Sequence, residues 1–244
     1  MARKINRSPR CISDGRDALT VEILSAVGAT AISNYNAHEQ ILAQSEPTES
    51  VFVLIEGVVC VSSMLPDGRR QVLGFALPGD LLGAWTFKEH TYCADTLTQV
   101  RAYKLATNTL RRVMSHQPAL LWAIQSHTKQ ELALAHEHVA ILGRAAAEEK
   151  VAWFVLQWRE RWELRAGRSD EIPLPMTRSD ISDYLGLTIE TVSRVFSRFS
   201  REGIWRAGLD FVEVIDLGKL TTLARCETSG AVAIPKVHAH LGSR

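Results

Sequence analysis

Cysteine is scarce and scattered in this chain. There are four, Cys11, Cys60, Cys93 and Cys226. No two form a CxxC pair, so the spacing supports neither a zinc site nor an iron–sulfur cluster. Four free thiols are expected, with Cys60, inside an apolar run, in the core. Long hydrophobic runs are missing as well. No apolar stretch approaches the roughly 20 residues of a membrane span. The N-terminus, "MARKINRSPRCISDGRD", is basic but has no apolar segment, so it does not read as a secretory signal. Residues 1–17 are expected to be a flexible tail, and these absences together argue for the cytoplasm. A surplus of charge is the third absence. The formal net charge is +1, and residues 145–244 hold 14 Lys/Arg against 14 Asp/Glu. Overall electrostatics therefore advertise no polyanionic partner, and any such partner must be argued from local placement.

What is present is ordinary globular material: 244 residues, 46% hydrophobic and 23% charged, enough for one large or two small domains. Residues 18–28, "ALTVEILSAVG", have helical spacing and end in Gly28. From about 30 to 106 the texture is different. "SVFVLIEGVVCVSSMLPDGRRQVLGFALPGDLLGAW" is a series of short β-branched runs divided by Gly57, Asp67-Gly68 and Pro78-Gly79-Asp80. Asp-Gly between apolar runs is a hairpin signal, and strands this short with such regular turns predict an antiparallel barrel or sandwich.

From residue 107 the pattern turns helical. Leu121, Gln125, Thr128, Leu132, Ala135, Val139 and Leu142 follow one another at alternating spacings of four and three, a heptad stripe. A helix this long beside a small barrel has little of its own domain to bury against, so a two-chain coiled coil is expected, with an intramolecular core helix as the alternative. Gly143 is read as the break after it. Residues 145–164 then give an amphipathic helix with Val151, Phe154, Val155 and Trp158 on one face.

The stretch "TRSDISDYLGLTIETVSRVFSRF", residues 177–199, carries the chemistry. Thr177 with Asp180 is a capping box. Ile181, Tyr184 and Leu185 give a short helix an apolar face, and Gly186 ends it. Thr188 caps a second helix whose buried face is Ile189, Val192, Val195, Phe196 and Phe199. Two short helices, a glycine turn and small Ser182 at their crossing make a helix-turn-helix, with a generic helical hairpin as the alternative. If the second helix enters a DNA major groove, its first turns face base edges. Arg194 can pair bidentately with guanine, Glu190 can accept from cytosine N4, and Ser193 can adapt to either base edge. A good bidentate contact is worth about 1–3 kcal/mol of discrimination. Glu190 and Arg194 also stand four apart and can form a surface ion pair. Arg178, Ser179, Thr188, Thr191 and Arg198 are the candidate contacts to the DNA backbone. Two strand-like runs around Gly208 then predict a wing.

Barrel, long helix and winged helix-turn-helix, with "LGRAAAEEKVAWFVL…LPMTRSDISDYLGLTIETVSRVFSRFSREGIW", resemble the CRP/FNR superfamily of transcription regulators over about residues 20–218. Glu190, Ser193 and Arg194 fall on the E-x-x-S-R motif of its FNR/FixK branch. The resemblance implies an α+β fold. Its parts would be a cyclic-nucleotide-binding-like β-roll at 18–106, a dimerisation helix at 107–143, a winged helix-turn-helix at 144–218 and a tail at 219–244. It implies a homodimer through Leu121, Thr128, Leu132, Ala135, Val139 and Leu142. That dimer would read double-stranded DNA at an inverted repeat like TTGAT-N4-ATCAA and contact RNA polymerase, with no membrane partner and no catalytic activity.

The cofactors of the superfamily are each disfavoured by a departure. An FNR cluster needs an N-terminal cysteine group, and only Cys11 lies there. The region "PGDLLGAWTFKEHTYCADTLTQV" has no Arg beside a Ser or Thr to clamp a cyclic phosphate. The expectation is no cofactor and no metal, with Trp85, Phe87, Tyr92 and Cys93 as a possible effector pocket. The alternatives are a haem-based gas sensor drawing on His90, His127, His136 or His138, and a β-roll module that regulates by protein contact. His136-Glu137-His138 is no metal motif, because helical residues two apart point to different sides.

Overall fold

The structure is a computed structural model that describes residues 18–27, 31–83 and 88–224. After helix α1 (Ala18–Val27) come eight strands: β1 (Ala31–Tyr35), β2 (Gln40–Leu42), β3 (Ser50–Glu56), β4 (Val59–Met64), β5 (Arg70–Ala76), β6 (Leu81–Leu82), β7 (Cys93–Thr96) and β8 (Val100–Ala106). They form two four-stranded antiparallel sheets, ordered β1-β8-β3-β6 and β2-β7-β4-β5. The Asp67-Gly68 signal marks the β4–β5 hairpin. Gly68 sits at φ +83°, a conformation glycine adopts without strain, and donates its N–H to Leu65 O at 2.9 Å. Alternate residues of the strands, among them Phe52, Leu54, Val59, Ala94 and Ala102, fill the space between the sheets.

Two helices follow, α2 (Thr107–Met114) and α3 (Pro118–Arg144). The sequence predicts one helix from 107. It is interrupted because Pro118 disfavours helical backbone in the residue before it, and Gln117 is extended at φ −128° and ψ 90°. Pro118 then sits where a proline is tolerated, in the first turn of α3. The break after α3 falls at Ala145 and Ala146, both extended, rather than at Gly143.

Helix α4 (Ala147–Ala166) buries Val151, Phe154, Val155, Trp158 and Trp162. Beyond it lie β9 (Glu171–Pro173), α5 (Arg178–Leu185), α6 (Ile189–Arg201), β10 (Trp205–Ala207), β11 (Phe211–Val214) and α7 (Leu217–Ala224). The last three strands pair antiparallel in the order β10-β11-β9. The tail expected from 219 begins instead with helix, because Leu220 buries fully in the core that α4 contributes to. That core runs on into the β-roll. Phe75 of β5 packs its ring 6.1 Å from Phe154, 6.1 Å from Trp158 and 5.4 Å from Tyr184, centroid to centroid.

Candidate nucleic-acid interface

The pair α5 and α6 is built by the capping chemistry its sequence spells out. Asp180 N donates to Thr177 Oγ1 at 3.1 Å, and Thr177 N donates to Asp180 Oδ2 at 2.9 Å. Gly186 closes α5 in the left-handed region at φ 60° and ψ 43°, and Leu187 N–H reaches back to Ser182 O at 3.0 Å. Buried Ser182 lets the helices approach. Thr188 Oγ1 then accepts from Thr191 N at 3.2 Å and starts α6. The inner face of α6 is Val192, Val195, Phe196 and Phe199, all buried. Trp205 wedges against it, with ring centroids 4.8 Å from Phe196 and 5.0 Å from Phe199, and donates Nε1–H to Phe196 O at 3.1 Å.

The opposite face of α6 holds the three residues expected to read bases. Glu190 and Arg194 are exposed and Ser193 is half-buried, at i, i+3 and i+4 along one side. The Glu190–Arg194 ion pair is not made. Glu190 instead turns to its own backbone N–H and to Thr188, which hold its carboxyl below the ordinary value. Among the described residues Arg194 has no ion-pair partner. Ile189, expected on the buried face, is exposed beside Glu190: the buried face of α6 is completed by Val192, Val195, Phe196 and Phe199, and Ile189 lies off it.

The candidate backbone contacts divide. Ser179, Thr188 and Thr191 lie at the N-terminal ends of α5 and α6, where the helix dipole favours anions. Arg178 is half-buried, its guanidinium 3.6 Å from the centroid of the Phe196 ring, and burial lowers its pKa. Arg198 is paired: Nε with Glu202 at 2.7 Å and Nη1 with Glu148 of α4.

Helix α3 has two faces. Leu120, Ile124, His127 and His138 are buried against their own chain. On the other side Leu121, Trp122, Leu132 and Val139 are 50%, 65%, 53% and 67% exposed. Ala135 is exposed and Thr128 half-buried, so the heptad stripe faces away from the chain. Leu142 is the exception, half-buried near the turn between α5 and α6: its Cδ2 is 3.7 Å from where a Cβ on Gly186 would stand. His136 is exposed and His138 buried, as helical geometry requires of residues two apart.

Of the possible effector pocket, Trp85 and Phe87 lie outside the described residues. Tyr92 packs among the β-roll core residues and its hydroxyl accepts from Gly83 N at 2.8 Å; Cys93 Sγ accepts from Gln44 N at 3.4 Å. Cys60 is fully buried, and burial pushes its thiol up to about 11 despite Arg70 at 3.1 Å from Sγ. It is a core thiol rather than a reactive one.

Sequence reasoning missed the polar groups that hold the helix-turn-helix to the rest. Asp80, buried, accepts from Leu77 N at 2.8 Å, from Arg161 Nη2 at 2.9 Å and from Arg165 Nη2 at 2.5 Å. Burial alone would raise its pKa; Arg165 and Arg161 outweigh that and hold it below the ordinary aspartate value. Asp180 of the capping box is paired with Arg70 of β5 at 2.7 Å. The available signal was Arg161 and Arg165 four apart on one face of α4, opposite a Pro-Gly-Asp turn.

The model of the Crp-like helix-turn-helix domain matches residues 149–223, and that of the cyclic nucleotide-binding domain matches residues 32–117. The nitrogen fixation regulation protein FixK of Bradyrhizobium diazoefficiens is 41% identical over 191 residues, 78% of this chain and 81% of its own. The chain belongs to the CRP/FNR family of transcription regulators. This CRP/FNR-family chain is also 40% identical over 190 residues to the transcriptional activatory protein AadR of Rhodopseudomonas palustris, 78% of this chain and 80% of that one. The structure of FixK2 from Bradyrhizobium japonicum superposes with a TM-score of 0.75 at 31% identity, over 84% of this chain and all of that one. These relatives are regulators, not enzymes. No helix among the described residues of this family member is long and apolar enough to cross a membrane.

A cyclic nucleotide, which one of the two matched models names, does not fit the residues present. Residues 78–100 contain no arginine. Their single Lys, Lys88, is exposed, and the Gly83 amide is taken by the Tyr92 hydroxyl. A phosphate buried against residues 78–100 would find no arginine among them to pair with.

Proposed function

We propose that this FixK-type regulator acts as a homodimer that reads an inverted repeat like TTGAT-N4-ATCAA through α6. Arg194 pairs with guanine, Glu190 accepts from cytosine and Ser193 adapts at the neighbouring step. The observation that carries the reading is the division of α6: one face is locked into the core by Phe196, Phe199 and Trp205, while Glu190, Ser193 and Arg194 stand together on the other. Arg178, Ser179, Thr188 and Thr191 serve the DNA backbone. Arg198 does so by exchanging Glu148 and Glu202 for phosphate, an exchange that costs little because exposed ion pairs are weak.

The outward stripe of α3, whose Leu121, Leu132 and Val139 stay exposed among the described residues, supports dimerisation. A palindromic site matches a two-fold protein. DNA-bound, the dimer meets RNA polymerase in the cytoplasm. No nucleotide, haem, cluster or metal is required, because residues 78–100 hold no Arg to clamp a cyclic phosphate, the cysteines form no group for a cluster, and only isolated histidines are offered to haem. A ligand acts only through its differential affinity for two states, so the DNA-competent arrangement is substantially populated without one. The test is a titration of aerobically purified, metal-free protein against a labelled palindrome at ~0.15 M salt, a stated salt being essential to any such affinity. A specific complex is expected. Its absence, with recovery on adding cyclic AMP, haem or anaerobic iron and sulfide, would replace the cofactor-free reading with the one that responds.

A further inference from the structure

An α-helix leaves its last four carbonyls without intrahelical partners. In α5 each of the four finds one, and they come from different parts of the molecule. Ser182 O accepts the N–H groups of Gly186 and Leu187 in its own turn. Asp183 O accepts from Gln71 Nε2 of β5 at 2.5 Å. Tyr184 O accepts from His138 Nε2 of α3 at 2.8 Å. Leu185 O accepts from buried Lys150 Nζ of α4 at 3.3 Å. The β-roll, the long helix and the first helix of the C-terminal half thus each hold one carbonyl at the end of α5, next to the turn that aims α6. A cation at this end also complements the helix dipole.

His138 is the member that ties α5 to α3. Its partner is a carbonyl, which only accepts, so Nε2 must carry the proton and the bond has one polarity. Its ring is stacked 3.9 Å from the Tyr184 ring at 23°, and lies 5.7 Å from that of Trp153 at 6°, so three helices meet at one imidazole. One residue on, Val139 points out along the stripe read above as the dimer seam.

We infer that His138 is a positioning residue that fixes the angle of the recognition helix to the dimer axis, and through it the spacing of half-sites the protein accepts. The inference rests on the dimeric reading above. Two half-sites lie about one DNA turn, ~34 Å, apart, so two recognition helices must be held at a matching separation. A tilt of α5 about its end moves α6 with it, because both share the core under Trp205. A defect at His138 therefore shows in the palindrome, where both helices must fit at once, and not in a single half-site.

The experiment titrates the full chain against palindromes with spacers from two to six base pairs and against one isolated half-site. His138→Phe keeps a ring to stack but removes the donor; His138→Gln restores a donor near the same place; His138→Ala removes both. Thermal melting and sedimentation confirm that each variant is folded and dimeric, and His138→Phe carries the test should His138→Ala fail to fold. Wild type is expected to show a sharp optimum at four base pairs. His138→Phe should lose about tenfold in palindrome affinity and flatten the spacer profile, with half-site affinity changed less than about threefold; His138→Gln should recover the optimum. A wild type with a sharp optimum beside a His138→Phe protein that keeps it overturns the inference and leaves the dimeric reading standing. A wild type that binds palindrome and half-site alike overturns the dimeric reading itself.

Discussion

Two sets of polar side chains in this protein are used in opposite ways. At the junction of β-roll and C-terminal half, Asp80, Asp180, Lys150 and His138 are buried and each has defined partners. On the outer face of α6, Glu190 and Arg194 are exposed, and Arg194 has no ion-pair partner among the described residues. The first set is satisfied within the chain and holds a geometry. The second makes no ion pair among the described residues and, in the function proposed above, serves DNA. Removing a member of the first should therefore cost stability, and removing a member of the second should cost recognition alone.

The largest expected effect is at Asp80. Asp80→Asn leaves two guanidiniums facing a neutral group in a buried site, and breaking such an arrangement costs about 3–5 kcal/mol, read as a lower urea midpoint. The pH dependence follows from the depressed carboxyl. Its stabilisation is complete above the ordinary aspartate value, about 3.9, and is lost as pH falls through the lower folded value. Wild type should thus lose stability in acid more steeply than Asp80→Asn. Equal acid slopes would separate Asp80 from the junction's stability.

Next comes the proposed dimer seam on α3. Leu132→Asp with Val139→Asp places charges on the outward stripe without touching the inward residues. The double variant should be monomeric by light scattering at micromolar concentration and bind the palindrome roughly tenfold or more weakly, with its melting behaviour retained as a folded monomer. A double variant still dimeric would move the seam elsewhere. The smallest effect belongs to Arg198→Ala. Losing exposed ion pairs should barely move the urea midpoint, and binding to specific and scrambled DNA should weaken alike, with a shallower salt dependence.

The difference between the two sets also explains what the sequence reveals. Local rules suffice for the helix-turn-helix: Thr177, Asp180, Gly186 and Thr188 act on neighbours three or four residues away, and each takes its expected role. The β-roll is legible through its turn residues, and the outward stripe of α3 through its heptads. The α2–α3 break was written in Pro118, but the helical texture on both sides masked it. The junction was not legible. Asp80 and Arg165 are 85 residues apart, and His138 and Tyr184 are 46 apart. No local pattern distinguishes His138, which meets Tyr184, from exposed His136 two residues before it. Helical α7 was lost because its main signal, buried Leu220, depends on a surface provided by α4.

The most direct test of the central claim pairs Arg194 with its base. Wild type and Arg194→Ala are titrated against the palindrome and against versions with the guanine of each half-site replaced. Wild type should lose about 1–3 kcal/mol per replaced guanine, while Arg194→Ala, as stable as wild type, should bind all the versions with one weakened affinity. An Arg194→Ala protein that still discriminates guanine as wild type does, weakened equally on every sequence, would make Arg194 a backbone contact and contradict the account of α6 as the reader.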